Sequence, residues 1–160
     1  ALLYENEEVW ADVRATVFQP GETVFDFDKA TLRPESAESL NELAALLTDN
    51  PHVTIEIGAH CDYKGNDDYN LRLSAERAQS VVDYLIASGI ASDRLTAKGY
   101  GEEKPIIVSK KQAEQYQFIS EGEVLNETTI SLFNQEQQEI CNQLNRRTEF
   151  RVLRTTYGMF

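Results

Sequence analysis

Apolar and polar positions change period several times along this chain, and each change marks an element. Val9, Ala11, Val13, Ala15 and Val17 recur at every second residue, which predicts a strand ended by Gln19-Pro20-Gly21. Thr23-Val24-Phe25-Asp26-Phe27 has the β-branched and aromatic content of a second short strand. The period then becomes helical. Ala37, Leu40, Leu43, Ala44 and Leu47 share one face, Pro34 suits the first turn, Glu35 and Glu38 complement the dipole, and Asp49-Asn50-Pro51 stops the helix. Val53, Ile55, Ile57 and Ala59 alternate with polar positions up to His60, predicting a strand with one covered face. A polar loop, residues 62–68, leads into a helix whose apolar side is Leu71, Ala78, Val81, Val82, Leu85 and Ile86, closed by Gly89.

Arg94 to Lys98 reads as a further strand, ended by Gly99-Tyr100-Gly101. Ser109 to Glu127 is polar and without a clear period. Ile130, Phe133, Ile140, Cys141 and Leu144 then fall on one face of a third helix, and Thr148 to Arg154 alternates as a last strand. The order β-α-β-α-β implies helices against a mainly parallel sheet. The class expected is α+β, an α/β sandwich with a mixed sheet once the last strand is added.

Composition narrows the picture only moderately. At 160 residues the chain is about one domain, and 41% hydrophobic with 26% charged residues is an ordinary globular mix. The apolar runs are too short for a transmembrane helix, and the opening residues lack a signal-peptide block. A start at Ala1 rather than Met suggests a segment of a longer protein. The net charge of −12 argues against nucleic acid and against an anionic membrane surface as partners. Two cysteines, Cys61 and Cys141, are too few for a disulfide scaffold and are compatible with one bridge or two free thiols.

Candidate chemistry concentrates between Ala59 and Leu85. Asp62 follows a strand at the edge where open sheets place ligands. Asn70, Ser74 and Arg77, at helical offsets of 0, 4 and 7, line one stripe of the next helix. A carboxylate and a guanidinium so placed face each other across a shallow cleft, or form an ordinary salt bridge.

This stretch resembles the peptidoglycan-binding domain of the OmpA C-terminal family. That family carries an Asp near a strand end, a Gly three residues later, and Asn-x-x-Leu-Ser-x-x-Arg-Ala opening a helix. The matching residues are Asp62, Gly65, Asn70, Leu73, Ser74, Arg77 and Ala78. Phe25-Asp-Phe-Asp-Lys-Ala-Thr-Leu32, Gly99-Tyr-Gly-Glu102 with Pro105, and Asn145-Arg-Arg-Thr-Glu-Phe150 match too, so the likeness runs from about residue 22 to 154. It departs from the family at Cys61, where Thr is usual, and in a long insertion at about residues 106–144.

The resemblance implies non-covalent binding of the diaminopimelate residue in Gram-negative peptidoglycan stems, with Asp62 taking the ammonium and Arg77 the carboxylate. Asn70, Gly65, Ser74 and Tyr63 complete the implied ligand set. Arg matches a carboxylate with a planar fork that Lys lacks. The resemblance also implies a lead-in over 1–21, a wall-binding domain over 22–154, a tail over 155–160, and the periplasmic side of the outer membrane. An upstream membrane-anchored region and a homodimer are open as partners. In that oxidising space a Cys61–Cys141 disulfide is expected, tying the insertion helix to the Asp62 strand.

Two other readings are weaker. Neighbouring residues on a strand point to opposite faces, so His60 and Cys61 do not make a thiolate pair, and no enzyme activity is expected. His60, Cys61, Asp62 and Cys141 lack a known metal spacing, so no metal or cofactor is expected either. The remaining alternative is a protein-interaction or assembly module that kept the fold and lost wall binding.

Overall fold

The computed structural model describes residues 14–17, 25 and 29–159. Four strands form one mixed sheet in the order β1-β4-β2-β3: β1 is Arg14–Thr16, β2 Thr54–His60, β3 Leu95–Gly101 and β4 Arg147–Arg154. The helices are α1, Ala37–Asp49, α2, Asp67–Ala87, α3, Lys110–Gln115, α4, Glu127–Ile130, and α5, Gln135–Asn145. The α+β class with a mixed sheet is as expected, but the sheet is not mainly parallel. Only β2 and β3 run parallel, and β4 inserts antiparallel between β1 and β2. The insertion causes this: it returns the chain to the end of β2 where Arg147 pairs with His60, so β4 must run back.

Most boundaries follow the apolar pattern. Pro34 opens a 3₁₀ turn, Pro34–Ser36, that passes directly into α1. The expected strand at residues 23–27 is represented by Phe25 alone, bridged to Leu32, and that at 9–17 by residues 14–17; the rest of both lies outside the described residues. Gly99-Tyr100-Gly101 does not end β3 but belongs to it. A Cβ at Gly99 would lie 2.2 Å from the Ala75 backbone nitrogen, so this glycine lets α2 sit directly on the strand.

Leu40, Leu47, Ile55, Ile57, Val81 and Leu85 are buried together between the sheet and the first two helices. Arg94 closes one edge, donating to the carbonyls of Leu47, Asn50 and Val53. A second cluster fills the insertion, from Val108, Ile119, Leu125, Ile130, Cys141 and Leu144. The single third helix expected there is two helices. Asn134 and Gln137 form a reciprocal capping box that starts α5 afresh after α4 ends. The periodic residues still meet in one cluster.

Candidate ligand-binding site

The sequence candidates gather where β2 ends and α2 begins. Asn66 caps α2, its side chain accepting from the Tyr69 amide at 2.9 Å, and Asp67 and Asp68 occupy the first turn. The intervening loop is held from within. Asn70 donates to the Lys64 carbonyl at 2.7 Å, beside Gly65, whose φ of 93° favours glycine. Ser74 is buried; its hydroxyl donates to the Leu71 carbonyl and accepts from the Gly101 amide at 3.0 Å, locking α2 to the end of β3. Asn70, Gly65 and Ser74 therefore shape the site by backbone bonds, and Tyr63 packs into the insertion cluster.

Arg77 is fixed from the other side. Its Nε donates to the Lys29 carbonyl at 3.0 Å, and its guanidinium lies over the Phe25 ring, 4.9 Å from the centroid. Ser80 adds a bond to the Ala30 carbonyl at 2.7 Å. The segment around Phe25 and Lys29 thus acts as a rest that orients Arg77.

Asp62, only 9% exposed, does not face empty space. Its Oδ1 accepts from the Lys64 amide at 2.9 Å, and its Oδ2 accepts from Arg146 Nη1. Arg146 also donates to Glu139 at 2.7 Å, and Lys64 stands 3.6 Å from the same carboxylate. Hydrogen bonding to Arg146 holds the Glu139 carboxyl below its usual range. Sequence reading missed Arg146 and Glu139, although the Asn145-Arg-Arg run was a visible signal for the first. Burial pushes the Cys61 thiol up, Arg77 pulls it down, and Asp62 and Glu102 push it up, so these charges converge on one small region.

The expected disulfide is absent: Cys61 and Cys141 are both free thiols. Cys61 donates weakly to the Asn70 carbonyl at 3.4 Å, whereas Cys141 is buried in the insertion cluster, its thiol pushed up to about 11 by burial. The insertion is joined to the Asp62 loop instead by Tyr63 and by the Asp62–Arg146 ion pair. Among the described residues no group of three or more His, Cys, Asp or Glu is arranged to hold a metal.

The fold is thus a βαβ layer with a carboxylate, Asp62, at the strand end and a guanidinium, Arg77, along the following helix. The chain belongs to the OmpA family, whose model matches residues 24–118. Outer membrane protein A of Citrobacter freundii is 42% identical over 87 residues, covering 53% of this chain and 37% of that protein. Outer membrane porin F of Pseudomonas fluorescens is 38% identical over 89 residues, covering 56% and 27%. The matched stretch therefore takes in well under half the length of these relatives. Among solved structures, a MotB-like protein from Desulfovibrio vulgaris has a TM-score of 0.58 at 24% identity, covering 88% of this chain and 73% of its own. The cell wall anchor of the T6SS from Pseudomonas aeruginosa has a TM-score of 0.56 at 23% identity, covering 82% and 75%. The peptidoglycan-associated lipoprotein from Burkholderia pseudomallei has 0.53 at 21%, covering 81% and 86%. These structural likenesses establish the fold.

Proposed function

We propose that this domain binds peptidoglycan non-covalently and anchors an outer-membrane protein or lipoprotein to the wall from the periplasmic side. The diaminopimelate residue of the stem peptide is the part read, its ammonium by Asp62 and its distal carboxylate by Arg77. The observation that carries this reading is the pair itself. Within an OmpA-family domain, Asp62 stands at the strand end, and Arg77 is oriented by Phe25 and the Lys29 carbonyl, which presets its planar fork for recognising a carboxylate. Two structural neighbours are named as a cell wall anchor and a peptidoglycan-associated lipoprotein, which supports the ligand class. The wall-binding unit spans residues 22–154, including the insertion at 106–144, with an upstream membrane-anchored region and homodimerisation as further elements of the reading.

The module acts as a binder and not as a catalyst. His60 is held neutral, its pKa pushed down to about 3 by burial, and the Cys61 thiol is pushed up, so neither is a charged partner for the other. Binding the ligand ammonium at Asp62 requires exchange, because Arg146 already occupies that carboxylate. The same contact favours the second reading, an assembly module whose Asp62 serves Arg146 permanently.

Pull-down on purified sacculi separates the two. Wild type should bind, while Arg77→Ala, Arg77→Lys and Asp62→Ala should each bind far more weakly; losing one partner of such a pair costs about 2–5 kcal/mol. Walls with lysine in the stem lack the distal carboxylate and should bind weakly as well. Full sacculus binding by both alanine variants would overturn the assignment.

A further inference from the structure

Among the described residues, the helices that pack on β2 and β3 lie on one face of the sheet. Ile55, Ile57 and Ala59 of β2 point into the core, and the alternate residues Glu56, Gly58 and His60 point the other way. That second face forms a concavity of about 610 Å³, walled by β3 and β4 side chains and, at one end, by residues 104–107. Gly58 lets the Tyr100 ring lie across β2 as part of the floor, since a Cβ there would lie 2.8 Å from that ring.

The charge of this groove runs against that of the chain. The protein carries 15 basic and 27 acidic residues, yet the groove is lined by four basic side chains against the acidic pair Glu56 and Glu149. Both acids are already engaged. Glu149 accepts from Arg147, and Glu56 accepts from the Tyr100 hydroxyl and from Arg151 at 3.3 Å. Arg147 also donates to the Asn145 and Lys104 carbonyls. Uncompensated charge is thus left on Lys98 and Lys104, neither of which has an ion-pair partner among the described residues. The Lys98 ammonium lies over the Tyr100 ring, 4.9 Å from its centroid.

His60 supplies a donor of a different kind. Its ring stacks on Tyr100 with centroids 4.8 Å apart and planes within 3°. Its Nδ1 is buried without a hydrogen-bond partner, which fits the neutral tautomer with its proton on Nε2. Burial first, and then Arg147 and Lys104, disfavour the charged imidazole, with Glu56 partly opposing them, so the ring is neutral here.

We propose that the helix-free face of the sheet is a second binding site, for a compact oxyanion of the phosphate class, held by Lys98 and Lys104 with His60 Nε2–H as a neutral donor. Two ammonium groups beside one neutral donor suit a doubly charged tetrahedral anion better than a single carboxylate. Such an anion is available as free phosphate or as a phosphomonoester headgroup on a lipid.

Calorimetric titration with inorganic phosphate at low ionic strength tests the site. Wild type and the control Lys110→Gln/Lys111→Gln should bind one phosphate saturably, and Lys98→Gln/Lys104→Gln should bind at least tenfold more weakly. Asp62→Ala should keep phosphate binding, which separates this site from the wall-binding one. Flotation with vesicles containing phosphatidic acid, against phosphatidylcholine alone, distinguishes the sources: capture assigns the site to a lipid headgroup, and phosphate binding without capture assigns it to a soluble anion. Absence of saturable phosphate binding, or an equal loss in the Lys110/Lys111 control, would overturn the proposal. All four lysine positions are exposed, so circular dichroism should report an unchanged fold in both variants.

Discussion

Between the sheet and α1 and α2, long apolar side chains meet with little polar help, whereas the cluster in the insertion is closed by amides. Leu40, Leu47, Ile55, Ile57 and Leu85 are all fully buried in the first, and its buried polar ties, Arg94 and Ser74, lie at the edges. The insertion has helices of only four to eleven residues, too short to be stable alone. It compensates with reciprocal caps at Ser109/Gln112 and Asn134/Gln137, and with Asn145, buried at the end of α5. The Asn145 side chain accepts from the Ile106 amide at 2.8 Å and donates to the Leu125 carbonyl at 3.0 Å, so one residue pins both ends of the 106–125 excursion. Where apolar area is scarce, hydrogen-bond geometry takes over the task of specifying the fold.

That contrast is open to direct attack. The largest effect is expected from Leu85→Ala, which empties a fully buried position between α2 and the sheet. It should cost about 2–5 kcal/mol, read as a lower denaturation midpoint by circular dichroism. Loosening restricted to the insertion amides would contradict the division drawn here. Asn145→Ala should have a smaller and more local effect. It strands the Ile106 amide and the Leu125 carbonyl at a cost of about 1–3 kcal/mol. Hydrogen exchange should then accelerate across residues 106–125 while α1 and α2 keep their protection.

The same contrast explains how much of the fold and site the sequence carries on its own. Leu40 to Leu47 and Val81 to Leu85 carry a full helical period, so α1 and α2 were legible. Asp62 and Arg77 were legible because a motif fixes their spacing on a strand end and a helix. In the insertion the face from Ile130 to Leu144 carried a period, but the break between α4 and α5 did not show in it. The residues of α3 had no clear period, and the caps are polar pairs that resemble any surface sequence. Arg146 was hidden for another reason: it reaches Asp62 across 84 positions, and only the return of β4 beside β2 brings them together. The Cys61–Cys141 expectation failed on the same long-range geometry, because Cys61 serves the Asn70 carbonyl while Cys141 turns into the insertion core. The sense of β4 likewise depends on where the insertion delivers the chain.

The smallest expected effect lies at the seam between the two regions, where Glu102 follows β3. Its carboxyl is pushed up to about 7, first by a hydrogen bond shared with Asp67 of α2, then by burial, and then by the charges of Asp67, Glu127 and Asp62. The folded protein therefore holds a proton that the unfolded chain, near the ordinary carboxyl value, releases earlier. Stability is unpenalised below about pH 4.5, falls as pH rises through about 7, and levels off above it. Glu102→Gln keeps a group able to donate to Asp67 but cannot ionise. Urea midpoints at pH 5 and pH 8 should therefore drop for wild type relative to this variant. A constant difference across that range would show that Glu102 and Asp67 do not share a proton. Glu127 belongs to α4, so its charge reaches Glu102 from the insertion side. Glu127→Gln should shift the wild-type fall to slightly lower pH, because removing a negative neighbour lets Glu102 ionise more easily. If that shift is absent, the insertion meets the Asp62 region through Tyr63, Arg146 and the Lys64–Glu139 ion pair, without an electrostatic reach to Glu102.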